Sequence, residues 1–322
     1  MNRLISALAL LAGALSLNTS PLHTSPLAAQ APSTQPPSPQ PPSTQPPSTR
    51  SETRAVSLPN GTVARLDSTF SLRRAESEVA LRVGDRDPTP LAGDPGAATV
   101  LAGHGVVVVA YLVEHSTRPF RVRVAAGPGF QLGEETRIAR PTRRRDFPFA
   151  VAIAETPEGF SIFFQEVQGD DPSAAHTYLV MLDAQGRPTG NAREIPVPWS
   201  LGAAAWNGRG YHLGLLFPGN GQGMRLSMVS LSEAGQPEQH PDWASAAGYI
   251  ADVHLLARSG RIRAFYRGGP GGDRILESDV TEIRGWGSEP PRARDHGRLG
   301  ASEAILVTGT GSQLRARRLE AR

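Results

Sequence analysis

In the stretch WNGRGYHLGLLFPG, residues 206–219, the turn residues Asn207, Gly208, Arg209 and Gly210 stand directly before Tyr211, Leu213, Leu215 and Phe217, large apolar residues on every second position. Alternation at a period of two marks a strand with one buried face, and Asn-Gly or Gly-rich pairs between such runs mark tight hairpins. The unit recurs. TPEGFSIFFQEV repeats it at Gly159, LAGHGVVVVAYLV at Gly105 and ARSGRIRAFYRG at Gly260, and GASEAILVTGTG is a degenerate copy with Glu303 at the anchor. Successive anchors are roughly 40 to 55 residues apart. A short apolar run precedes each anchor (AATVLA, FAVAIA, LGAAAW, IADVHLLA, GRLGA), and a further run follows the next loop (RVRVAAG, TYLVMLD, MRLSMVSL, RILESDV, QLRARRLE).

Strand, tight turn, strand, loop and strand, followed by a turn such as DAQGRPTG and a weaker fourth strand, fill each period. A four-stranded sheet cannot bury both faces alone, so copies of it stack face to face around an axis. The pattern predicts an all-β propeller over residues 54–322 with six blades, or five. The run RAVSL, residues 54–58, has no partner at its own end of the chain and is expected to complete the last blade, closing the ring. GTVARLDSTFSLRRAESEVALRV, one period upstream of Gly105, is expected to form the additional blade. One copy is out of phase: Arg261 follows its glycine where Phe160 and Tyr211 follow theirs, and Ile262, Ala264 and Tyr266 carry the apolar face instead. A one-residue slip turns a strand over, so that copy needs a longer turn, a bulge or a different alignment.

In shape the copies resemble the diverged propeller repeats of many secreted bacterial proteins, where a Gly-Phe/Tyr pair opens an alternating run and the next strand ends in Asp/Ser-x-x-Gly, as at Gly159-Phe160 and Asp183 to Gly186. The WD dipeptide, the kelch glycine pair and the S-x-D-x-G-x-x-W box are absent from the sequence. The resemblance therefore implies a fold and no activity.

The ends and the composition add a compartment. Arg3 followed by LISALALLAGALSL reads as an export signal, too short to span a bilayer, with an A-x-A cleavage site at Ala29 to Ala31. Residues 1–31 are thus expected as signal peptide, residues 32–53, where QPPST recurs, as an extended solvated linker, and the product as a secreted or periplasmic monomer. With no cysteine, a lipid-modified cysteine and a disulfide framework are both excluded. All 33 basic residues are Arg. That absence of Lys excludes Schiff-base and P-loop lysine chemistry. A net charge of +3 is too small for a nucleic-acid footprint, and the cluster Arg143, Arg144, Arg145 has no interleaved aromatics, so no nucleic-acid partner is expected.

Candidate chemistry is sparse. The eight His residues form no metal-binding spacing, and neither a G-x-S-x-G elbow nor a Walker motif occurs. Asp252 and His254, two apart on a strand expected innermost, would share one face, directed at the central channel. Glu166, expected with Asp170 and Asp171 in QEVQGDDPSAAH, the longest loop between a second and a third strand, and Trp206, at the end of LGAAAW, join them as candidate ligand-binding residues. Ordinary turn chemistry is the first reading of Asp85, Asp87 and Asp94 in GDRDPTPLAGDPG, and oxygen ligands for a calcium ion, the one cofactor the sequence suggests, the second. The expected function is a non-catalytic binding or scaffold module that recognises an extracellular glycan or a cell-surface protein through loops of one face. The alternative is a hydrolase or lyase acting on an extracellular polymer.

Overall fold

The alternating runs become strands and the Gly, Pro and Asn clusters become their connections. The computed structural model describes residues 49–320 except 59, 72–75, 92–94, 114–115, 117, 128, 142–146, 169–173, 198–199, 219–223, 239–241, 245–249, 259, 270–271, 281–292, 300–302 and 311–312. The expected signal peptide, most of the QPPST tract, Asp94, Asp170, Asp171 and Arg143 to Arg145 lie outside the described residues. Among the described residues no helix is long and apolar enough to cross a membrane.

Strands β1 (Thr49–Ser57), β2 (Val63–Ser71), β3 (Glu76–Val83) and β4 (Thr89–Pro90) form the first sheet. The second holds β5 (Pro95–Gly103), β6 (Val106–Val113), β7 (Phe120–Ala126) and β8 (Gln131–Leu132), with β9 (Thr136–Ile138) also on β7. The third is β10 (Phe147–Thr156), β11 (Gly159–Val167), β12 (Ala175–Asp183) and β13 (Arg193–Ile195). The fourth is β14 (Ser200–Trp206), β15 (Gly210–Pro218), β16 (Met224–Ser232) and β17 (Asp242–Ala244), and the fifth is β18 (Ala251–Arg258), β19 (Arg261–Gly268), β20 (Arg274–Asp279) and β21 (Arg294–Arg298). The chain closes on the hairpin β22 (Glu303–Thr310) and β23 (Gln313–Glu320), whose first strand bonds β1 in parallel through Ala55 opposite Leu306 and Val56 opposite Val307.

First strands of successive sheets touch, β1 to β5, β5 to β10, β10 to β14 and β14 to β18, which places them innermost in a ring. Apolar side chains fill each gap between neighbours. Leu66, Leu81, Val107 and Tyr111 pack between the first and second sheets, and Phe120, Phe164 and Tyr178 between the second and third. Phe163, Leu213 and Leu215 fill the third gap, and Val253, Ile262 and Tyr266 the fourth. Beside the terminal hairpin the buried cluster shrinks to Ile275, Leu299 and Ile305 among the described residues. The architecture is a β-propeller of five sheets, the lower of the two counts the sequence allows.

The sixth unit fails to separate for a topological reason. The run GRLGA, expected as the first strand of the last copy, begins inside β21, the outer strand of the fifth sheet, with Leu299 in the core just beyond it. Only two strands remain after it, and β22 joins the first sheet by main-chain hydrogen bonds. RAVSL lies in β1, which begins at Thr49. It is the first strand of its own sheet and closes the ring through that parallel contact.

The phase problem at Arg261 also resolves. Gly159 and Gly210 are first residues of their strands, whereas Gly105 and Gly260 sit inside the turns with φ of 77° and 73°. Counted from the first strand residue, Val107, Phe160, Tyr211 and Ile262 are all second, and all face the preceding sheet. The glycine moved by one position; the strand did not turn over. Polar contacts cross the third gap as well: Gln165, which donates to its in-sheet neighbour Thr177 Oγ1 at 3.0 Å, accepts from the Leu201 amide of the next sheet at 2.8 Å, and the Ser161 and Tyr211 hydroxyls are 2.8 Å apart.

Candidate functional site

Each of β5, β10, β14 and β18 carries a break in register near its start, between Pro95 and Ala97, Pro148 and Ala150, Leu201 and Ala203, and Ala251 and His254. Bulges increase local twist and re-aim side chains. The fourth is unlike the others. Ala251 opposes Arg267 and His254 opposes Phe265, so Asp252 and Val253 share the single partner position of Tyr266. Val253 turns into the core, and Asp252 takes φ of 54° in the left-handed region. That conformation favours glycine and costs other residues about 1–2 kcal/mol, Asp and Asn tolerating it best.

This backbone brings Asp252 Oδ1 to 3.4 Å from His254 Nε2, with side-chain exposures of 7% and 16%. The contact is longer than the roughly 2.7–3.2 Å of an ordinary N–H···O bond, so it is a weak one, and neither buried atom has another hydrogen-bond partner. Burial pushes the Asp252 carboxyl upward, but His254, Arg54 and Arg267 outweigh it and hold the group below the usual carboxylate value. Asp252 is therefore ionised. Arg54 comes from β1 and donates through Nη1 to Thr99 Oγ1 at 3.3 Å. Arg267 comes from β19, donates through Nη2 to the Glu303 carbonyl on β22 at 3.1 Å, and leaves its buried Nε without a partner. The cluster is thus built where the two ends of the chain meet.

The remaining sequence candidates lie elsewhere. Glu166 is on the second strand of the third sheet, 1% exposed, and accepts from Arg140 Nη1 at 2.9 Å. Trp206 ends β14 beside its hairpin turn, whereas Asp252 lies at the start of β18; its ring is 4.8 Å from that of Tyr211, and its buried Nε1 has no partner. Asp85 and Asp87 are exposed in the turn between β3 and β4, and no group of three metal-binding side chains occurs among the described residues. The sequence reasoning missed Arg54 and Arg267. Arg54 carries no local signal, because its proximity to Asp252 is set by ring closure, whereas Arg267 stands on the neighbouring strand of the same hairpin, opposite Ala251.

Two other polar groups have partners within the protein, although Arg121 Nε and Nη1 make no hydrogen bond. Glu135 accepts from the Tyr111 hydroxyl at 2.5 Å and pairs with Arg121 and Arg137 at 3.2 and 2.7 Å. In the fourth sheet, Asn207 uses Oδ1 to accept from the amides of Arg209 and Gly210, so its Nδ2 must donate to His212 Nε2 at 2.7 Å. His212 Nδ1 lies 3.1 Å from Ser230 Oγ, and burial lowers the His212 pKa. The neutral ring is thus the one the fold wants. Since the folded value lies below the unfolded value near ~6.5, this contribution is complete above the unfolded value and is lost as pH falls toward the folded one. Urea midpoints at neutral and mildly acidic pH are expected to fall more for the wild-type chain than for His212→Gln; equal falls would remove His212 as the cause.

No protein-family model and no curated sequence matches the chain. Among solved structures it is similar to hydrazine synthase of Kuenenia stuttgartiensis, at 12% identity over 71% of this chain with a TM-score of 0.42, and spans 64% of that chain. It is also similar to an alpha-L-arabinanase of Penicillium chrysogenum, at 14% identity over 72% of this chain and 78% of that one with a TM-score of 0.49. A third is the fucose-specific lectin of Aleuria aurantia, at 15% identity over 84% and 88% of the two chains with a TM-score of 0.44.

Proposed function

We propose that the protein is a non-catalytic carbohydrate-binding module whose site is the Asp252–His254 pair at the start of the fifth sheet's inner strand. The observation that carries this reading is the pair of buried atoms, Asp252 Oδ1 and His254 Nε2, that face each other at 3.4 Å and have no other hydrogen-bond partner. Leaving a buried polar group unsatisfied costs about 1–3 kcal/mol, and the left-handed Asp252 adds backbone strain of the kind that gathers at ligand sites. A hydroxyl supplies what both atoms lack, accepting from the imidazole N–H and donating to the carboxylate. Sugars present such hydroxyls in rows. Glycoside hydrolysis needs two carboxylates at a set separation, whereas the groups acting on Asp252 are an imidazole and two guanidiniums. Binding without cleavage is the reading this set supports.

Thermal unfolding of the chain across a panel of oligosaccharides tests it, since a ligand at 100 times its Kd stabilises the native state by about 2.7 kcal/mol. Asp252→Asn keeps a residue that tolerates the left-handed conformation and removes the charged acceptor. It is expected to lower the unliganded midpoint, because the charge it removes is held by His254, Arg54 and Arg267, and to weaken binding roughly 10- to 150-fold, the equivalent of one charged hydrogen bond. A panel without any stabilising sugar, or a sugar that binds Asp252→Asn equally well, contradicts the proposal.

A further inference from the structure

We infer that the ligand of this site is an acidic sugar, a uronate whose carboxylate pairs with Arg267 while a neighbouring hydroxyl bridges Asp252 and His254; the inference rests on the binding site proposed above. A neutral hydroxyl completes the Asp252–His254 pair and leaves the guanidinium of Arg267 with a neutral main-chain acceptor, the Glu303 carbonyl at 3.1 Å, and a buried Nε–H without a partner. A buried guanidinium N–H is best met by an anionic oxygen, and the planar fork of Arg matches a carboxylate. Arg54, the second guanidinium acting on Asp252, adds to the positive field at the same point. Arg267 lies directly across from Ala251, the residue before Asp252, so the hydroxyl-binding pair and the cation adjoin along one strand pair. Within a pyranose uronate the carboxylate and the ring hydroxyls are likewise fixed neighbours, which lets one residue engage both. Asp252 itself repels a bare anion, so a ligand carrying hydroxyls beside its charge is selected over a simple inorganic one.

Calorimetric titration of the full chain with oligomers of galacturonate, glucuronate and mannuronate, with their carboxyl-reduced neutral counterparts, and with inorganic sulfate separates the outcomes. The expected result is that one acidic oligomer binds at least tenfold more tightly than its reduced counterpart. Arg267→Gln is expected to erase that difference, and Arg267→Lys, which keeps the charge and loses the fork, to fall between. Equal affinities for the acidic and reduced sugars overturn the inference and leave the binding site standing. Sulfate binding as tightly as the acidic sugar overturns it in favour of a bare anion site. Absence of binding by every sugar, acidic or neutral, overturns both readings. Should Arg267→Gln not fold, the wild-type comparison of each acidic sugar with its reduced counterpart decides alone.

Discussion

Replacing Phe164 by Ala is expected to lower the unfolding free energy by about 3–5 kcal/mol, the usual cost of emptying a buried aromatic position. Phe164 is fully buried between the second and third sheets, and its ring stacks on Phe120 with centroids 4.6 Å apart and planes 2° from parallel. Tyr178 closes on the same Phe120 ring at 5.1 Å. The gap has no mobile side to collapse, because all three aromatics sit on hydrogen-bonded strands of closed sheets. Phe164→Leu refills most of the volume and should cost much less. Denaturant titration of the two variants measures the difference; a loss below about 1 kcal/mol for Ala would mean that the second and third sheets do not pack through these rings.

The gaps between sheets are the part of the fold most legible in the sequence. A run such as GFSIFFQEV can be read as a strand buried on both faces because its apolar residues fall on both phases, and β11 is buried along its whole length. The hairpin anchors were equally legible, apart from the one-residue difference between a glycine that begins a strand and one that lies in the turn. Blade count was not legible. It depends on whether β22 bonds β1 or begins an independent sheet, and nothing local to either strand encodes a partner some 250 residues away; loop-closure cost grows too slowly with length to forbid it.

The site divides in the same way. Asp252 and His254 could be paired from an i, i+2 spacing on one strand, and they do face each other. Their unsatisfied geometry comes from a bulge and a left-handed residue, which the sequence marks only by placing Asp where glycine is commonest. Glu166 was grouped with them on charge alone; it lies on the second strand of the third sheet and pairs there with Arg140, which belongs to no strand. Arg54 reaches the site only because the chain ends meet, whereas Arg267 comes from the adjacent strand of the same sheet.

That meeting of ends can be fixed covalently. The natural chain has no cysteine, so Ala55→Cys with Leu306→Cys provides a single pair against an empty background. Residues directly opposite on adjacent strands lie about 4.7–4.9 Å apart, within the roughly 4.4–6.8 Å that a disulfide spans between Cα atoms. Closing a loop of roughly 250 residues is worth about 5 kcal/mol by the chain-entropy estimate, a gain that strain at two buried positions reduces. The second large effect is therefore a raised, reductant-sensitive unfolding midpoint. The direct measurement is the redox state and connectivity of the purified double variant, by intact mass and mobility under non-reducing conditions. A monomer that has lost two hydrogens and gains thermal stability is the predicted result. Two free thiols in the folded chain, or cross-links between chains only, would contradict ring closure through β1 and β22 and the site built on it.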